Sequence, residues 1–348
     1  MKLLVSQSRI SRVLQAWLLL CVFLPLGVNA APNEREPAFR DNFYDVAVRD
    51  GQSWIVGYYG TILHSSDGGL NWAIQKSPTQ EALFRVVFLD AMTGWISGSY
   101  GTLLHTRDGG RSWHRQATQT EEHLLGLHFV DAERGWVVGS RGTILRTGDG
   151  GKSWVSGSAS EDIILNDVRF VNPQQGWAVG EFGRIYSTRD GGRTWAKTKS
   201  PVEVSFISGE SRNLFRLLFR NSTAGWAFGL DGTILKTQGG QRWQVANPDG
   251  AVPPGIKRHH LFSAAFFNGR KWAVGERGTI LVAGADNDQW QPARSKVPPL
   301  SLNGIAFGSG HLGLIVGNRG LILRTQNGGD DWKPVSLTSK RPGKDPIR

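Results

Sequence analysis

Residues 136–154 read WVVGSRGTILRTGDGGKSW. A tryptophan opens the stretch, a G-x-x-G turn follows, an aliphatic run leads to Asp-Gly-Gly, and a second tryptophan closes it. Its last eight residues, TGDGGKSW (147–154), have near-copies at SSDGGLNW (65–72), TRDGGRSW (106–113) and TRDGGRTW (188–195). An aspartate repeated beside two glycines is either a set of catalytic carboxylates or a turn used repeatedly to build a scaffold. The choice decides whether the chain is an enzyme.

Aligned on the closing tryptophan, seven units end at Trp72, Trp113, Trp154, Trp195, Trp243, Trp290 and Trp332, spaced by 41, 41, 41, 48, 47 and 42 residues. Each unit has one order: an alternating strand (FRVVFLD, 84–90), a second strand with W-x-x-G (WISG, 95–98), the G-x-x-G turn, a third strand (TLLHT, 102–106), then the D-G-G turn into a fourth strand. Four short strands in roughly forty residues make a propeller blade. The expectation is an all-β chain, a seven-bladed β-propeller of four-stranded antiparallel blades over 43–336, closed so that no long strand edge is exposed. The 45 glycines and 14 tryptophans fit tight turns and aromatic packing.

Trp17 apart, the tryptophans occupy two repeat positions. One closes the D-G-G turn; the other is the second-strand series Trp54, Trp95, Trp136, Trp177, Trp226 and Trp272, with Leu314 in the seventh unit. Both series, including Trp72, Trp113, Trp154 and Trp195, are expected to pack blade against blade, which leaves no tryptophan as a ligand platform. Asp67, Asp108, Asp149 and Asp190 are expected to close their turns by accepting backbone N–H groups two and three residues on, with glycine supplying positive φ. The fifth unit has TQGGQRW (237–243), the sixth AGADNDQW (283–290) and the seventh Asn327. Loss of the aspartate from three units suits a structural staple better than a catalytic ring.

The motif S/T-x-D-x-G-x-x-W resembles the Asp box of the BNR repeat group, which includes sialidases. The longer combination seen at 136–154 resembles, over all seven units, the propeller family of photosystem II assembly and stability factors. That resemblance implies a non-catalytic lumenal assembly factor with an arginine-rich surface patch that helps a membrane protein subunit to assemble. Relatives occur in non-photosynthetic bacteria. An ordinary export signal in place of a transit peptide leaves the photosystem client itself open.

Antiparallel topology separates two faces. The D-G-G turns share one with loops such as DAMTG (90–94); the G-x-x-G dipeptides share the other with the inter-blade links. The dipeptides are where units differ: Tyr58-Tyr59, Ser99-Tyr100, Ser140-Arg141, Glu181-Phe182, Leu230-Asp231, Glu276-Arg277 and Asn318-Arg319. Two links, 196–213 and 244–260, are long, the second carrying Pro253-Pro254 and Lys257-Arg258-His259-His260. Inner strands start at this face, which places Asp45, Arg85, Asp167 and Arg216 at the mouth of an axial channel. Charge there, ringed by Tyr58, Tyr59, Tyr100, Phe182, Arg141, Arg277 and Arg319, is the expected binding surface; ordinary solvated turn residues are the plainer alternative.

Other chemistries find little support. His64 and His105 fall at a variable position expected to face outward, His259-His260 is a weak loop pair, and no H-x-x-x-H or Cys/His ligand spacing occurs. No metal or cofactor is expected. No G-x-S-x-G, phosphate loop or DNA-reading module is present, so nucleic acid is not an expected partner. A sialidase-type glycoside hydrolase would have to recruit Arg85, Arg216, Tyr100 and Glu181 or Asp167, without an F-R-I-P segment. A glycan- or small-ligand-binding propeller would need a compact pocket at the axis.

Lys2, Arg9 and Arg12 precede an apolar run from Val13 to Val28 and a small-residue site at Val28-Asn29-Ala30, the pattern of a secretory signal over 1–30 with Ala31 as the mature start. A retained anchor is the alternative. The only cysteine, Cys21, lies inside this segment, so the mature chain has no disulfide or thiolate chemistry. After a lead-in at 31–42 and the propeller, Lys340-Arg341-Pro342-Gly343-Lys344 marks a basic disordered tail at 337–348. Net charge falls from +11 to +8 with the signal removed, which suits an acidic partner or anionic ligand. The expected location is the periplasm, or a thylakoid lumen in a photosynthetic host. The expected form is a monomer, binding a membrane protein or assembly intermediate, with peripheral contact to a membrane open.

Overall fold

The computed structural model of the chain describes residues 41–208, 210–246 and 259–337. The export segment, most of the lead-in, Pro253-Pro254 and Lys257-Arg258 of the second long link, and the basic tail from 338 onward lie outside the described residues.

Seven four-stranded antiparallel sheets follow one another along the chain. Their inner strands are Phe43–Arg49, Leu83–Phe88, Leu124–Phe129, Leu165–Phe170, Leu214–Phe219, Leu261–Phe267 and Leu302–Phe307. Each inner strand touches the next, and the seventh touches the first, so the sheets close a ring. This is a seven-bladed β-propeller, numbered here from blade 1 at the N-terminal side. Among the described residues no strand is exchanged: blade 1 holds the first four strands and blade 7 the last four.

The second strand of a blade has sheets packed on both its faces. Gly94–Gly98, Gly135–Gly139, Gly176–Gly180 and Gly313–Gly317 are buried along their whole length. This explains their continuous apolar composition where one-sided burial would give alternation. The outer strand is short and exposed, as at Ala73–Ile74 and His114–Arg115.

The two tryptophan series meet on an unremarked third aromatic, the phenylalanine ending the inner strand. Trp54 stacks on Phe88 of blade 2 with ring centroids 3.5 Å apart, and Trp113 of blade 2 meets the same ring edge-on at 5.8 Å. The pattern recurs as Trp95–Phe129–Trp154, Trp136–Phe170–Trp195 and Trp177–Phe219–Trp243. Each such sandwich spans a blade boundary, as expected for blade-to-blade packing. The indoles of Trp54, Trp136 and Trp177 also donate to Gly109, Gly191 and Gly240 carbonyls in the next blade's D-G-G turn at 2.9–3.0 Å. Gly240 must be glycine: its φ is +68°, and an added methyl would overlap the Trp177 ring.

The aspartates do close turns, with the amide three residues on as expected, but with the amide four residues on in place of the one two residues on. Asp67 Oδ1 accepts N–H from Leu70 and Asn71, three and four residues on, and Asp149 Oδ1 accepts from Ser153, four residues on. The amide two residues on is taken because Thr147 Oγ1, two residues upstream, donates to Asp149 and itself accepts from Gly151. The turn is thus a wider loop around a Thr–Asp pair. In blade 7 Asn327 reproduces it, accepting from the Asp331 amide. In blade 6 a different device appears: Asp288 accepts from the Trp226 indole at 2.8 Å and from buried Lys271, whose ammonium lies 4.1 Å over the Trp226 ring. The Asp box is replaced there rather than simply lost.

Hydrogen bonds from the Ser153 hydroxyl and amide hold the Asp149 carboxyl down at about 2. Folded-state depression means its stabilisation is complete above the unfolded value near 4 and fades as pH falls through about 2. Asp149→Ala is expected to cost about 1 kcal/mol, as for loss of a capping carboxylate. Denaturant titration of both proteins checks this: the difference should shrink below pH about 4 and vanish near 2.

Candidate functional site: the G-x-x-G face and the axial channel

The two faces are built as their turns require. Gly109, Gly150 and Gly191 amides of the D-G-G turns donate to Met92, Glu133 and Gln174 carbonyls of the first turns. On the other side Gly60 and Gly101 amides donate to Glu81 and Glu122 in the links.

In every G-x-x-G turn the second dipeptide residue is left-handed without being glycine. Tyr59, Tyr100, Arg141, Phe182, Asp231, Arg277 and Arg319 have φ between 49° and 58°. The conformation costs roughly 1–2 kcal/mol at a non-glycine residue, and neighbouring links offset it. The amides of Tyr100, Phe182, Asp231 and Arg319 donate to His123 Nδ1, Asn213 Oδ1, His260 Nδ1 and Asn42 Oδ1, each just ahead of the next blade's inner strand. Tyr100, Arg141, Asp231, Arg277 and Arg319 are exposed, while Tyr58, Tyr59 and Phe182 are half-buried. The Arg141 side chain is 71% exposed, with Glu122 3.8 Å away at the edge of ion-pair range. Around the ring the face reads basic and aromatic from blade 6 through blade 4, interrupted by Asp231 in blade 5.

The charged inner-strand residues do not join this face. Asp45, Arg85, Asp167 and Arg216 are 3%, 4%, 0% and 7% exposed. A β-bulge lies between the first and third positions of all seven inner strands, at Phe43/Asp45, Leu83/Arg85 and their equivalents. At the bulged second position stand Tyr44, Phe84, Leu125, Asn166, Phe215, Phe262 and Asn303; Tyr44 and Phe215 are almost fully buried and meet Phe84 and Phe262 of the next blade with ring centroids 5.8 and 5.5 Å apart. The positions that follow line a channel of about 640 Å³. Its lining runs from Asp45, Arg85 and Arg216 to Arg49, Arg220 and Asn221, where the inner strands end, so it opens on the D-G-G face.

Inside the channel the aspartates staple blades together. An inner strand has one free edge, and Asp45 Oδ2 accepts the Val86 amide of blade 2 while Asp167 Oδ2 accepts the Leu217 amide of blade 5. Burial pushes the Asp167 carboxyl up, but Arg216, Arg169, Arg85 and the Leu217 amide outweigh it and hold it below the usual range. Arg85 reaches across to the Phe215 carbonyl at 3.4 Å. Burial, then the nearby Arg216, push its guanidinium down to about 10.

Residues not foreseen complete the channel. His128 and Arg169 stand at the fifth inner-strand position, where the other units carry Ala47, Val87, Leu218, Ala265 and Ala306. Two polar residues in an otherwise aliphatic series were the available signal. Arg184, replacing the usual threonine after the G-x-x-G turn, pairs with Glu161 at 2.7 Å and Glu203 at 2.9 Å, and Lys197 bridges the same two carboxylates. This network fastens the long link 196–213 back onto blade 4, leaving Ile207 92% exposed.

The residues a sialidase would recruit are not assembled. Tyr100 stands on the exposed turn, Arg85 and Arg216 are buried along the channel, and Asp167 is engaged by the Leu217 amide. The Glu181 carboxylate accepts the Ile164 amide at 2.8 Å. His64 and His105 are half-buried rather than outward-facing: His105 stacks on Trp95 at 4.7 Å, and burial lowers its imidazole to about 4. His259 bonds Thr279, and His260 accepts the Asp231 amide. Among the described residues no three metal-ligating side chains converge.

The family model described as photosynthesis system II assembly factor YCF48 matches residues 33–120, 113–163, 158–238 and 259–347. The chain belongs to the YCF48 family. Among curated proteins, none matches it. The YCF48 fold is also what the solved structures show. "YCF48 bound to D1 peptide" is 20% identical, with TM-score 0.63 over 87% of this chain and 99% of that one. YCF48 from Cyanidioschyzon merolae is 16% identical, with TM-score 0.64 over 83% and 97%. The GH74 xyloglucanase from Xanthomonas campestris is 13% identical, with TM-score 0.65 over 84% of this chain and 54% of the enzyme, a likeness of fold alone.

Proposed function

We propose that this YCF48-family chain is an exported, non-catalytic scaffold that holds a segment of a membrane protein on its G-x-x-G face during assembly. The observation that carries the reading is the ring of strained, non-glycine turn residues. Glycine would occupy the left-handed position without strain, yet tyrosine, phenylalanine or arginine stands there in six of seven blades. Aromatic and arginine side chains are the residues that anchor interfaces. Family membership supports the assembly role, and a YCF48 structure bound to D1 peptide supports a peptide-like client. The segment expected is extended, with acidic and apolar residues to meet Arg141, Arg277, Arg319 and the tyrosines. Export, and hence a periplasmic or lumenal site of action, rests on the basic and apolar N-terminal pattern; a monomer suffices for the role.

The test is capture from detergent-solubilised membranes with the full chain and with a Tyr100→Ala, Arg141→Ala, Arg277→Ala, Arg319→Ala variant. These side chains are exposed, so Tm should stay within about 2 °C, consistent with the small effect of surface changes. Recovery of one membrane protein is expected to fall about tenfold or more, the scale of losing a hot-spot cluster. Equal recovery by both proteins would remove the face from the proposal.

A further inference from the structure

The axial channel is separate from the client face, and its chemistry is that of a receptor. Three guanidiniums, from Arg85, Arg169 and Arg216, share it with two carboxylates, Asp45 and Asp167, leaving one positive charge in excess. The Arg85 and Arg216 Nε–H groups are buried and have no hydrogen-bond acceptor. A buried donor without a partner is costly, and an acceptor reaching the two guanidiniums from the cavity would relieve that cost. His128 adds a third donor. Its Nδ1 accepts the Phe170 amide at 3.2 Å, and burial, then Arg169, lower its pKa to about 3, so the ring is neutral. The neutral tautomer must carry its proton on Nε2.

The remaining charges are accounted for. At the rim Arg220 pairs with Asp286, while the exposed Arg49 donates to the Phe88 carbonyl and keeps its charge in solvent, so the excess of one is that of the inner cluster alone. Asp45 and Asp167 each have Oδ2 on a backbone amide, and the Oδ1 of each is buried without a partner, so the cluster holds two unpaired acceptors as well as two unpaired donors. The lining also holds an aliphatic series, Ala47, Val87, Leu218, Ala265 and Ala306, at the fifth position of five inner strands. The volume, about 640 Å³, lies in the range of small-molecule sites.

We infer that the channel binds a small organic monocarboxylate, its carboxylate held by Arg85, Arg169, Arg216 and His128 and its apolar body laid against the aliphatic series. A single negative charge balances the excess of the inner cluster, planar guanidinium suits carboxylate geometry, and the aliphatic residues of the lining favour an apolar body over a bare inorganic anion. The ligand enters from the D-G-G face, so the site and the client face are independent, and failure of one leaves the other standing.

Benzoate, its neutral isostere benzamide, and inorganic phosphate serve as probes, each titrated into the mature chain by calorimetry with thermal shift in parallel. Benzoate should bind and raise Tm, with benzamide and phosphate at least about tenfold weaker, the loss expected when a charge-assisted pair is removed. Arg169→Gln, at a partly exposed side chain, should weaken benzoate about tenfold. If that variant does not fold, Ala47→Asp, which places a negative charge in the aliphatic series, should abolish benzoate binding. No benzoate heat into the millimolar range, equal binding of benzamide, tighter binding of phosphate, or unchanged benzoate affinity in the folded variant would each overturn the assignment.

Discussion

Trp177→Ala should destabilise the propeller by about 3–5 kcal/mol, the cost of truncating a fully buried large aromatic, and lower Tm by roughly 10 °C. Three losses combine there. The indole is 1% exposed, so its removal opens a cavity between blades 4 and 5. Its stacking on Phe219 at 4.4 Å disappears, and Trp243, edge-on to the same ring, loses its support. The Gly240 carbonyl, which accepts the indole N–H at 2.9 Å, is left without that donor in a buried turn. Tyr100→Ala, by contrast, removes a ring that is 59% exposed and should change Tm little. Denaturant and calorimetric unfolding of the two variants check the contrast. A Trp177 variant unfolding within about 1 kcal/mol of wild type would remove the blade-boundary sandwich as the main element of stability.

Asp167→Ala is expected to cost a similar amount, about 3–5 kcal/mol, because removing one partner of a buried ion cluster leaves uncompensated charge. Arg216 and Arg169 lie 3.9 and 3.7 Å from its carboxylate, and the Leu217 amide donates to it at 2.8 Å. Asp167→Asn keeps an acceptor for that amide and should recover part of the loss. The pH dependence has a definite sign. The carboxyl is held below its ordinary value in the folded state, so its contribution is complete above the unfolded pKa near 4 and is lost as pH falls through the lower folded value. Wild type and Asp167→Asn should therefore converge in stability on acidification, which urea titrations between neutral pH and pH 3 would show. A constant gap across that range would mean that Asp167 acts by packing rather than charge.

The architecture was legible because it is written seven times. The W-x-x-G and D-G-G signatures mark the second strand and third turn of each blade, and period alone sets the blade count. The role of Phe88 and its equivalents, at the centre of every sandwich, was not separable from an ordinary alternating strand. The channel was misplaced for a specific reason. Asp45, Arg85, Asp167 and Arg216 do lie early in inner strands, but they are buried behind a bulge at the preceding residue, and a bulge leaves no mark in residue type. Likewise the Thr–Asp pair that redirects the turn bonds depends on where a hydroxyl proton points. The exposed turn residues were identifiable because variation within a strict repeat stands out, whereas their shared left-handed backbone was visible only in three dimensions.

Blade 1 and blade 7 meet without sharing a strand. Leu314 stands where a tryptophan would, Arg324 donates to the Gly68 carbonyl of blade 1 at 2.6 Å, and Leu337, read from sequence as the start of a disordered tail, packs on the seam. Every sheet is therefore encoded by one uninterrupted segment, and the boundary of the genetic repeat coincides with the boundary of the folded unit. Duplication or deletion of one such segment adds or removes a whole sheet and orphans no strand. Blade number in this architecture is thus a quantity that recombination can change in single steps, without an intermediate that must fold around an incomplete sheet.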